Sequence, residues 1–408
     1  MEKTFGLLGE RLNHSLSREI HAMLGDDNYQ LFEVASKQLS LFLTSYNFDG
    51  INVTIPYKRI VMPMLSKTSE LSRRVGCVNT VLRRQSDGRL FGYNTDVYGF
   101  SYMIDSAGIN VAGKKCVIIG DGGGAASVRV SLEDHGAGKI VNITRSKYAQ
   151  IPKNHPDAQI LINATPVGMF PENGKAPTSL AGLDSLEAVC DLVYNPLKTA
   201  LLLDAESRGI KAVNGLPMLV AQAKRARELF TGTEIDDAVI PQIISTIEKK
   251  QRNVIIIGMP GSGKSTVGKA LAARLGKRHI DIDDAVMKLY GRSPERIIRR
   301  EGENAFRRTE HVAAEWAGKQ PSAVVSAGGG IVLRADNKNA LRQNGDIIFI
   351  NRDLTNLELE GRPLSQSKSI EDLYAERMPL YREWCDYEVD NNGTVEETVE
   401  QIVKLIGE

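Results

Sequence analysis

Two glycine-rich segments carry the most specific chemistry in the chain. Gly258-Met259-Pro260-Gly261-Ser262-Gly263-Lys264-Ser265 satisfies the spacing GxxxxGK[ST] without a mismatch. In such a loop the backbone N–H groups cradle phosphates, the lysine neutralises β- and γ-phosphate charge, and the serine hydroxyl ligates Mg²⁺. The apolar run Val254–Ile257 precedes it and the helical pattern KSTVGKALAARLG follows, which is the context the motif needs. Gly258, Gly261, Ser262, Gly263, Lys264, Ser265 and Thr266 are therefore expected to hold ATP, with Ser265 on the metal. The second segment, Gly120-Asp121-Gly122-Gly123-Gly124-Ala125-Ala126, follows the apolar run Val117–Ile119. Gly120, Gly122 and Ala125 occupy the key positions of a GxGxxG/A dinucleotide fingerprint, with Gly123 and Gly124 between them. Glycine there permits a tight turn and close approach to a pyrophosphate, which then faces a helix N-terminus.

The strand expected over Lys139–Ile143 bears on which dinucleotide is bound. NAD sites commonly carry an acid about 20 residues past the loop, for the ribose hydroxyl. Here the strand runs into Thr144-Arg145-Ser146-Lys147, with no acid. Hydroxyls beside an arginine suit a 2′-phosphate, so the expected cofactor is NADP(H), with Thr144, Arg145 and Ser146 as its contacts. A third polar set lies upstream. In DGINVTIPYK (Asp49–Lys58) the apolar Ile51, Val53 and Ile55 alternate with Asn52 and Thr54, and Lys58 closes the strand after Pro56. Asn79-Thr80 and Asn94-Thr95-Asp96 add amides, hydroxyls and a carboxylate, groups suited to a polyhydroxylated ligand.

The elements that must position these groups alternate between β-branched runs and helical stretches, which implies an α/β fold with mainly parallel sheets. The charged run Glu248-Lys249-Lys250-Gln251-Arg252, followed by a fresh strand signal at Val254, places a boundary near residue 250. The expected organisation is a substrate-binding domain over 1–100, a Rossmann-like NADP domain over 101–215, and a phosphate-loop kinase-type domain over 250–408. The helical stretches Leu216–Phe230 and Asp236–Lys249 (216–249 together) are expected to pack back on the first domain. The composition fits such a molecule: 408 residues, 42% hydrophobic, 25% charged and a net charge of +1 exclude wholesale disorder and give no overall field for nucleic acid or an acidic membrane. No apolar run approaches the ~18 residues of a membrane span, and MEKTFGLLGE reads as a first strand and not as a signal peptide. Cys77, Cys116, Cys190 and Cys385 form no CxxC and have no zinc-type histidine spacing. They read as free thiols of a reducing cytosol, so a cytoplasmic protein with small-molecule substrates is expected, and a homo-oligomer stays open.

Up to about residue 250 the chain resembles shikimate dehydrogenase. His14-Ser15-Leu16-Ser17 is similar to that family's HSxS segment, with Arg18 where proline is usual. NVTIPYK resembles its NVTxPxK, Val78-Asn79-Thr80 its VNT and Asn94-Thr95-Asp96 its NTD. Asn163-Ala164-Thr165 and Asp191–Pro196 resemble the segments on the nicotinamide side, and Asn214–Ala223 the late helix that returns a glutamine to the substrate. The resemblance implies reduction of 3-dehydroshikimate by NADPH, with Lys58 and Asp96 as the catalytic pair. It also implies Ser15, Ser17, Thr54, Asn79, Tyr194 and Gln222 on the substrate, and Gly215 on the cofactor. Asp121 and Ala126 depart from the family loop, where an alanine and a basic residue are common.

From residue 250 onward the chain resembles shikimate kinase. Asp281-Ile282-Asp283 is similar to that family's DxD, and Gly291-Arg292-Ser293 with Gly302-Glu303 and Phe306-Arg307-Arg308 to its GRS…GExxFRR. Gly328-Gly329-Gly330, Gly361-Arg362-Pro363-Leu364 and Arg377–Tyr381 follow in family order. The resemblance implies Asp281 at the metal, Asp283 on the hydroxyl to be phosphorylated, and Arg307 and Arg377 on a substrate carboxylate. It also implies Arg362 over the transferring phosphoryl, and Gly328, Gly329 and Gly330 letting backbone approach the ring. Between Ile350 and Arg362 nothing matches the arginine that relatives place over adenine.

The combined reading is one chain with two consecutive activities of aromatic amino-acid biosynthesis, using NADP(H), ATP and Mg²⁺. Two competitors stay open. One is a dehydrogenase half that takes quinate or NAD, or a kinase half that takes another polyol. The other is a half that only senses ligand or supports assembly. Thr144-Arg145-Ser146 argues against NAD, and Arg307 with Arg377 argues for a carboxylated acceptor. The Lys58/Asp96 and Lys264/Ser265/Asp281/Asp283 sets argue against a silent half.

Overall fold

Sixteen strands form three sheets in the computed structural model, which describes residues 3–12, 15–357 and 369–408. The chain divides into two compact units, the first over 1–169, 175–195 and 201–246, the second over 170–174, 196–200 and 247–408.

The first unit carries two sheets. One comprises β1 (Phe5–Gly9), β2 (Gln30–Glu33), β3 (Gly50–Val53), β4 (Lys67–Thr68), β5 (Thr80–Arg83) and β6 (Leu90–Tyr93), in the order β2-β1-β3-β5-β6-β4. It is mixed, because β5 runs antiparallel to both β3 and β6. The C-terminal ends of β1, β3 and β6 and the N-terminal end of β5 all lie on one edge, so the segments around 9–17, 54–58, 79 and 94–96 come together there. The other sheet, β7 (Lys115–Ile119), β8 (Lys139–Ile143), β9 (Ile160–Asn163), β10 (Ala188–Asp191) and β11 (Lys211–Val213), is wholly parallel in the order β11-β10-β9-β7-β8. The chain leaves β7 toward β8 and then returns to its other side, which makes the loop after β7 a topological switch point.

The helices Asp96–Ser106 and Leu216–Thr231 pack closely at Gly99, where a Cβ would meet the Met218 carbonyl oxygen at 2.6 Å and the Gln222 Cβ at 3.0 Å. Any larger residue at 99 would push Gln222 away from the edge that carries Asp96. Farther along, buried Lys224 is held by Glu228 at 2.8 Å and Asp237 at 2.6 Å. Burial opposes its charge, yet the bonds to Asp237 and Glu228 outweigh burial and raise its pKa. This staples the end of that helix to the segment before Val239–Gln251.

A buried histidine should make the first unit acid-sensitive. His21 stacks on Tyr29 with ring centroids 3.8 Å apart, and its Nδ1 has no partner among the described residues. Burial, with the nearby Arg227 charge, pushes its pKa down to about 3. An unfolded histidine titrates near ~6.5, so below that pH the unfolded state binds a proton that the folded state refuses. The stability this neutral ring contributes is complete above ~6.5 and is lost as pH falls toward about 3. The thermal midpoint of the unit should therefore drop between about pH 7 and 5, and His21→Gln should flatten that slope. An unchanged slope in the variant would assign the acid sensitivity to other groups.

The second unit is built on one parallel sheet of β12 (Asn253–Ile257), β13 (Arg278–Asp281), β14 (Ala323–Ser326), β15 (Gly345–Asn351) and β16 (Tyr387–Asp390), ordered β13-β14-β12-β15-β16. Central β12 is buried on both faces. Val254 and Ile256 point into one apolar cluster and Ile255 and Ile257 into the other, as the two-residue side-chain repeat requires. This doubly covered centre fixes the strand from which the phosphate loop springs.

Candidate active sites

On the edge of the first sheet, Lys58 Nζ donates to Asp96 Oδ2 at 2.7 Å. Lys58 lies in the short helix Tyr57–Ile60, and β3 ends at Val53. The expectation that Lys58 closes the strand is corrected: after Val53 the chain turns, and the helical turn aims the lysine at Asp96. Asp96 is 3% exposed and begins the helix Asp96–Ser106, whose N-terminal dipole favours its negative charge. Its Oδ1 accepts from Asn79 Nδ2 at 2.8 Å. That amide also reaches Thr95 Oγ1 at 2.9 Å and Gln222 Oε1 at 3.4 Å, while Thr95 N donates to Asn79 Oδ1 at 2.7 Å. Lys58, Asp96, Asn79 and Gln222 are thus joined in one network. Behind it, buried Asn52 accepts from Tyr29 Oη at 2.7 Å and donates to Thr80 Oγ1 at 3.1 Å. Thr54 follows β3, with its N–H on the Leu8 carbonyl at 2.9 Å. Ser15 and Ser17 follow β1, with Ser17 N–H on Ser15 Oγ at 3.2 Å. These three share the edge with Lys58, but no described hydrogen bond ties them to the Lys58–Asp96 pair.

The dinucleotide loop lies against this lysine. A Cβ on Gly123 would stand 3.3 Å from Lys58 Cδ, and Arg59 Nη2 donates to the Asp121 carbonyl at 3.1 Å. Gly120 holds φ +119°, a conformation that glycine tolerates best, and Gly122 precedes the helix Gly123–Asp134. Nothing stands within 4 Å of the place a Gly122 side chain would take, so the loop has the open floor that a pyrophosphate needs. Gly124 begins that helix beside Gly123, and Ala125 is buried beneath them. The Asp121 residue is exposed. Thr144, Arg145 and Ser146 are also exposed, at the C-terminal end of β8. Half-buried Tyr194 follows β10, and burial pushes its phenol up. Gly215 caps the helix Leu216–Thr231, so close to Leu192 that a Cβ would be 2.1 Å from its carbonyl oxygen.

In the second unit Ser265 Oγ donates to Asp281 Oδ2 at 2.6 Å, while Asp281 Oδ1 accepts from Asp283 N at 3.0 Å and caps the helix Ile282–Tyr290. A hydroxyl beside a carboxylate is a hard-oxygen pair suited to Mg²⁺, which usually takes one or two protein ligands and keeps several waters. Lys264 is buried, and its Nζ donates to the carbonyls of Gly258 at 3.0 Å and Met259 at 2.7 Å. Gly261 and Gly263 hold φ +82° and +86°, and Ser262 is buried between them. Ser265 and Thr266 are exposed in the first turn of the helix Lys264–Leu275.

A cluster of opposite charges lies beside this loop. Arg307 donates to Glu303 Oε1 at 2.9 Å and to Glu310 Oε2 at 2.7 Å. Glu310 is 1% exposed, its Oε1 has no partner among the described residues, and burial pushes its carboxyl up against the pull of Arg307. Buried Arg377, on the helix Ile370–Trp384, also acts on Glu310, and Tyr381 of the same helix donates to the Gly329 carbonyl. The glycines Gly328 to Gly330 were expected to make room for a ring. Cβ atoms built on them would meet Glu310 Oε1 at 2.9 Å, Pro260 Cδ at 2.8 Å and Arg307 Nη2 at 2.2 Å, so this backbone packs closely against those three residues. Arg362, with its neighbours Gly361, Pro363 and Leu364, and His14 lie outside the described residues.

Glu310 was missed, although its three-residue spacing from Arg307 on one helix is a legible ion-pair signal. Asn391 was also missed. Its Nδ2 donates to the Ser262 carbonyl at 2.5 Å across 129 residues of chain, a separation that leaves no local trace.

Comparison with known proteins finds two families along the chain. The family described as shikimate dehydrogenase substrate binding domain matches residues 7–81, and the family described as shikimate kinase matches residues 260–407. A shikimate dehydrogenase (NADP(+)) of Clostridium perfringens is 37% identical over 270 residues, covering 60% of this chain and 98% of the relative. Among solved structures, a chorismate mutase/shikimate 5-dehydrogenase fusion protein from Clostridium acetobutylicum is 33% identical with a TM-score of 0.56, over 61% of this chain and 98% of that one. Shikimate 5-dehydrogenase from Thermus thermophilus in complex with NADP(H) and shikimate is 30% identical with a TM-score of 0.54, over 60% and 99%.

Proposed function

The chain belongs to the shikimate dehydrogenase family and carries a shikimate kinase domain behind it, and from that premise we propose that its two sites act in sequence, with Lys58 and Asp96 working the first and the Lys264 loop the second. The first site reduces 3-dehydroshikimate to shikimate, and the second phosphorylates shikimate to shikimate 3-phosphate. The observation that carries the reading is the Lys58–Asp96 ion pair lying directly against the dinucleotide loop.

NADPH, when bound, supplies the hydride for the ketone. Gly120 to Ala125 hold its pyrophosphate and Thr144, Arg145 and Ser146 its 2′-phosphate. A ketone carbon that gains a hydride leaves negative charge on its oxygen, and the Lys58 ammonium stabilises that charge and donates the proton. Asp96 orients Lys58 and accepts from a substrate hydroxyl. Asn79 and Gln222 bind ring hydroxyls, Ser15, Ser17 and Thr54 bind the carboxylate side, and Tyr194 and Gly215 complete the pocket and the cofactor wall.

In the second site Ser265 and Asp281 would hold Mg²⁺, which would supply charge to offset that of the phosphates. Lys264 exchanges its two carbonyl partners for phosphate oxygens. Asp283 orients the acceptor hydroxyl and takes its proton. Arg307 and Arg377 clamp the carboxylate, so Arg307 exchanges part of its hold on Glu303 and Glu310 for substrate, a bidentate arrangement its planar fork suits. Little covalent chemistry is asked of the protein, and positioning with charge neutralisation supplies the rate. Four free thiols suit a reducing cytoplasm, where both substrates are small polar acids.

The test is a single mixture of pure chain, 3-dehydroshikimate, NADPH, ATP and Mg²⁺, analysed for shikimate 3-phosphate. Omitting NADPH should stop product from 3-dehydroshikimate yet leave added shikimate phosphorylated. Omitting ATP should leave shikimate to accumulate. Unphosphorylated shikimate in the complete mixture would refute the second activity.

A further inference from the structure

This inference deepens the kinase reading and rests on it. β15 ends at Asn351, so Arg352 emerges at the same sheet edge as the phosphate loop. Its Nη1 lies 3.5 Å from the point where a Cβ on Gly263 would stand. Asn391, which follows β16, faces the same point with Nδ2 at 3.4 Å. Asn391 is itself locked, since its Oδ1 accepts from buried Thr398 at 2.7 Å and its amide holds the Ser262 carbonyl. The loop wall on this side is therefore fixed. No carboxylate among the described residues pairs with Arg352, and its buried Nε has no acceptor. Arg307, by contrast, is saturated by two glutamates. A buried guanidinium Nε without an acceptor among the described residues is costly, and an arriving anion would relieve the cost.

The strand order decides which anion. β13 carries Asp281 at one end of the sheet, β12 carries the loop at its centre, and β15 carries Arg352 on the opposite flank. A triphosphate whose γ-phosphoryl points toward Asp281 and Asp283 must run its α-phosphate and nucleoside toward β15. We propose that Arg352 binds the α-phosphate of the nucleotide, so that it grips ATP and ADP alike from the side of the loop away from the acceptor. A guanidinium meets two phosphate oxygens at once, which a lysine cannot do.

The test compares full-length wild type with Arg352→Ala and Arg352→Lys. In the alanine variant the KM for ATP and the dissociation constant for ADP, by calorimetric titration without acceptor, should both rise about tenfold or more. The lysine variant should recover only part of the loss. The KM for shikimate and the rate of NADPH oxidation should stay as in wild type. ADP affinity within about twofold of wild type in Arg352→Ala would overturn the proposal, and a rise for ATP alone would place the arginine on the γ-phosphoryl instead. The ADP titration separates the two ideas: wild type that binds ADP without phosphorylating shikimate refutes the acceptor reading, whereas loss of ADP affinity in the variant is read either way.

Discussion

Replacing Lys58 by alanine should lower kcat for NADPH-dependent reduction by about a thousandfold, because in the proposed mechanism this one group both stabilises the developing oxyanion and donates the proton. The KM for NADPH should change little, since the cofactor loop keeps its own backbone contacts. Some stability is expected to go as well. Asp96 is buried and would keep the Asn79 amide but lose its cation at 2.7 Å. Asp96→Asn is the companion variant. It retains hydrogen bonding to Asn79 and removes the charge that orients Lys58, so a smaller fall, on the order of a hundredfold, is expected. Phosphorylation of shikimate, assayed in the same preparation, should be unchanged in both variants, because the two units have separate apolar cores. Retention of more than about a tenth of the reduction rate in Lys58→Ala would remove this lysine from the proton-transfer role.

Lys264→Ala should do the reverse: phosphoryl transfer falls by about a thousandfold or more while reduction of 3-dehydroshikimate continues. The loss has two physical parts. The ammonium no longer offsets phosphate charge in the transition state. Before nucleotide binds, the carbonyls of Gly258 and Met259 also lose the donor that now satisfies them, at about 1–3 kcal/mol for each group left buried and unpaired. Because the second part can reshape the loop, ADP titration on the variant belongs with the assay. Weak ADP binding with residual turnover would point to the loop, and intact ADP binding without turnover to the charge. If neither Lys58→Ala nor Lys264→Ala touches either activity, both site assignments are wrong.

The two phosphate cradles were legible because each is contiguous. Gly258–Ser265 and Gly120–Ala126 are strand-to-helix turns whose chemistry is mostly backbone N–H, so residue type and spacing over a few positions suffice to recognise them. The alternation of apolar runs and helices likewise announced parallel sheets, since a strand buried on both faces, such as Val254–Ile257, reads as unbroken hydrophobicity. Lys58 was legible as a candidate but not in its setting, because a helix as short as Tyr57–Ile60 leaves no periodicity to read.

What the amino-acid order determined unaided was therefore the presence of two glycine-rich strand-to-helix turns and the residue types able to work beside them. Only the tertiary structure decided which groups meet. The antiparallel run of β5 delivers Asn79 to Asp96 and Lys58, Gly99 draws Gln222 in, Glu310 occupies Arg307, and Asn391 and Arg352 flank Gly263. These pairings join residues by burial and side-chain direction as well as by order, and several bridge separations that no short window can register.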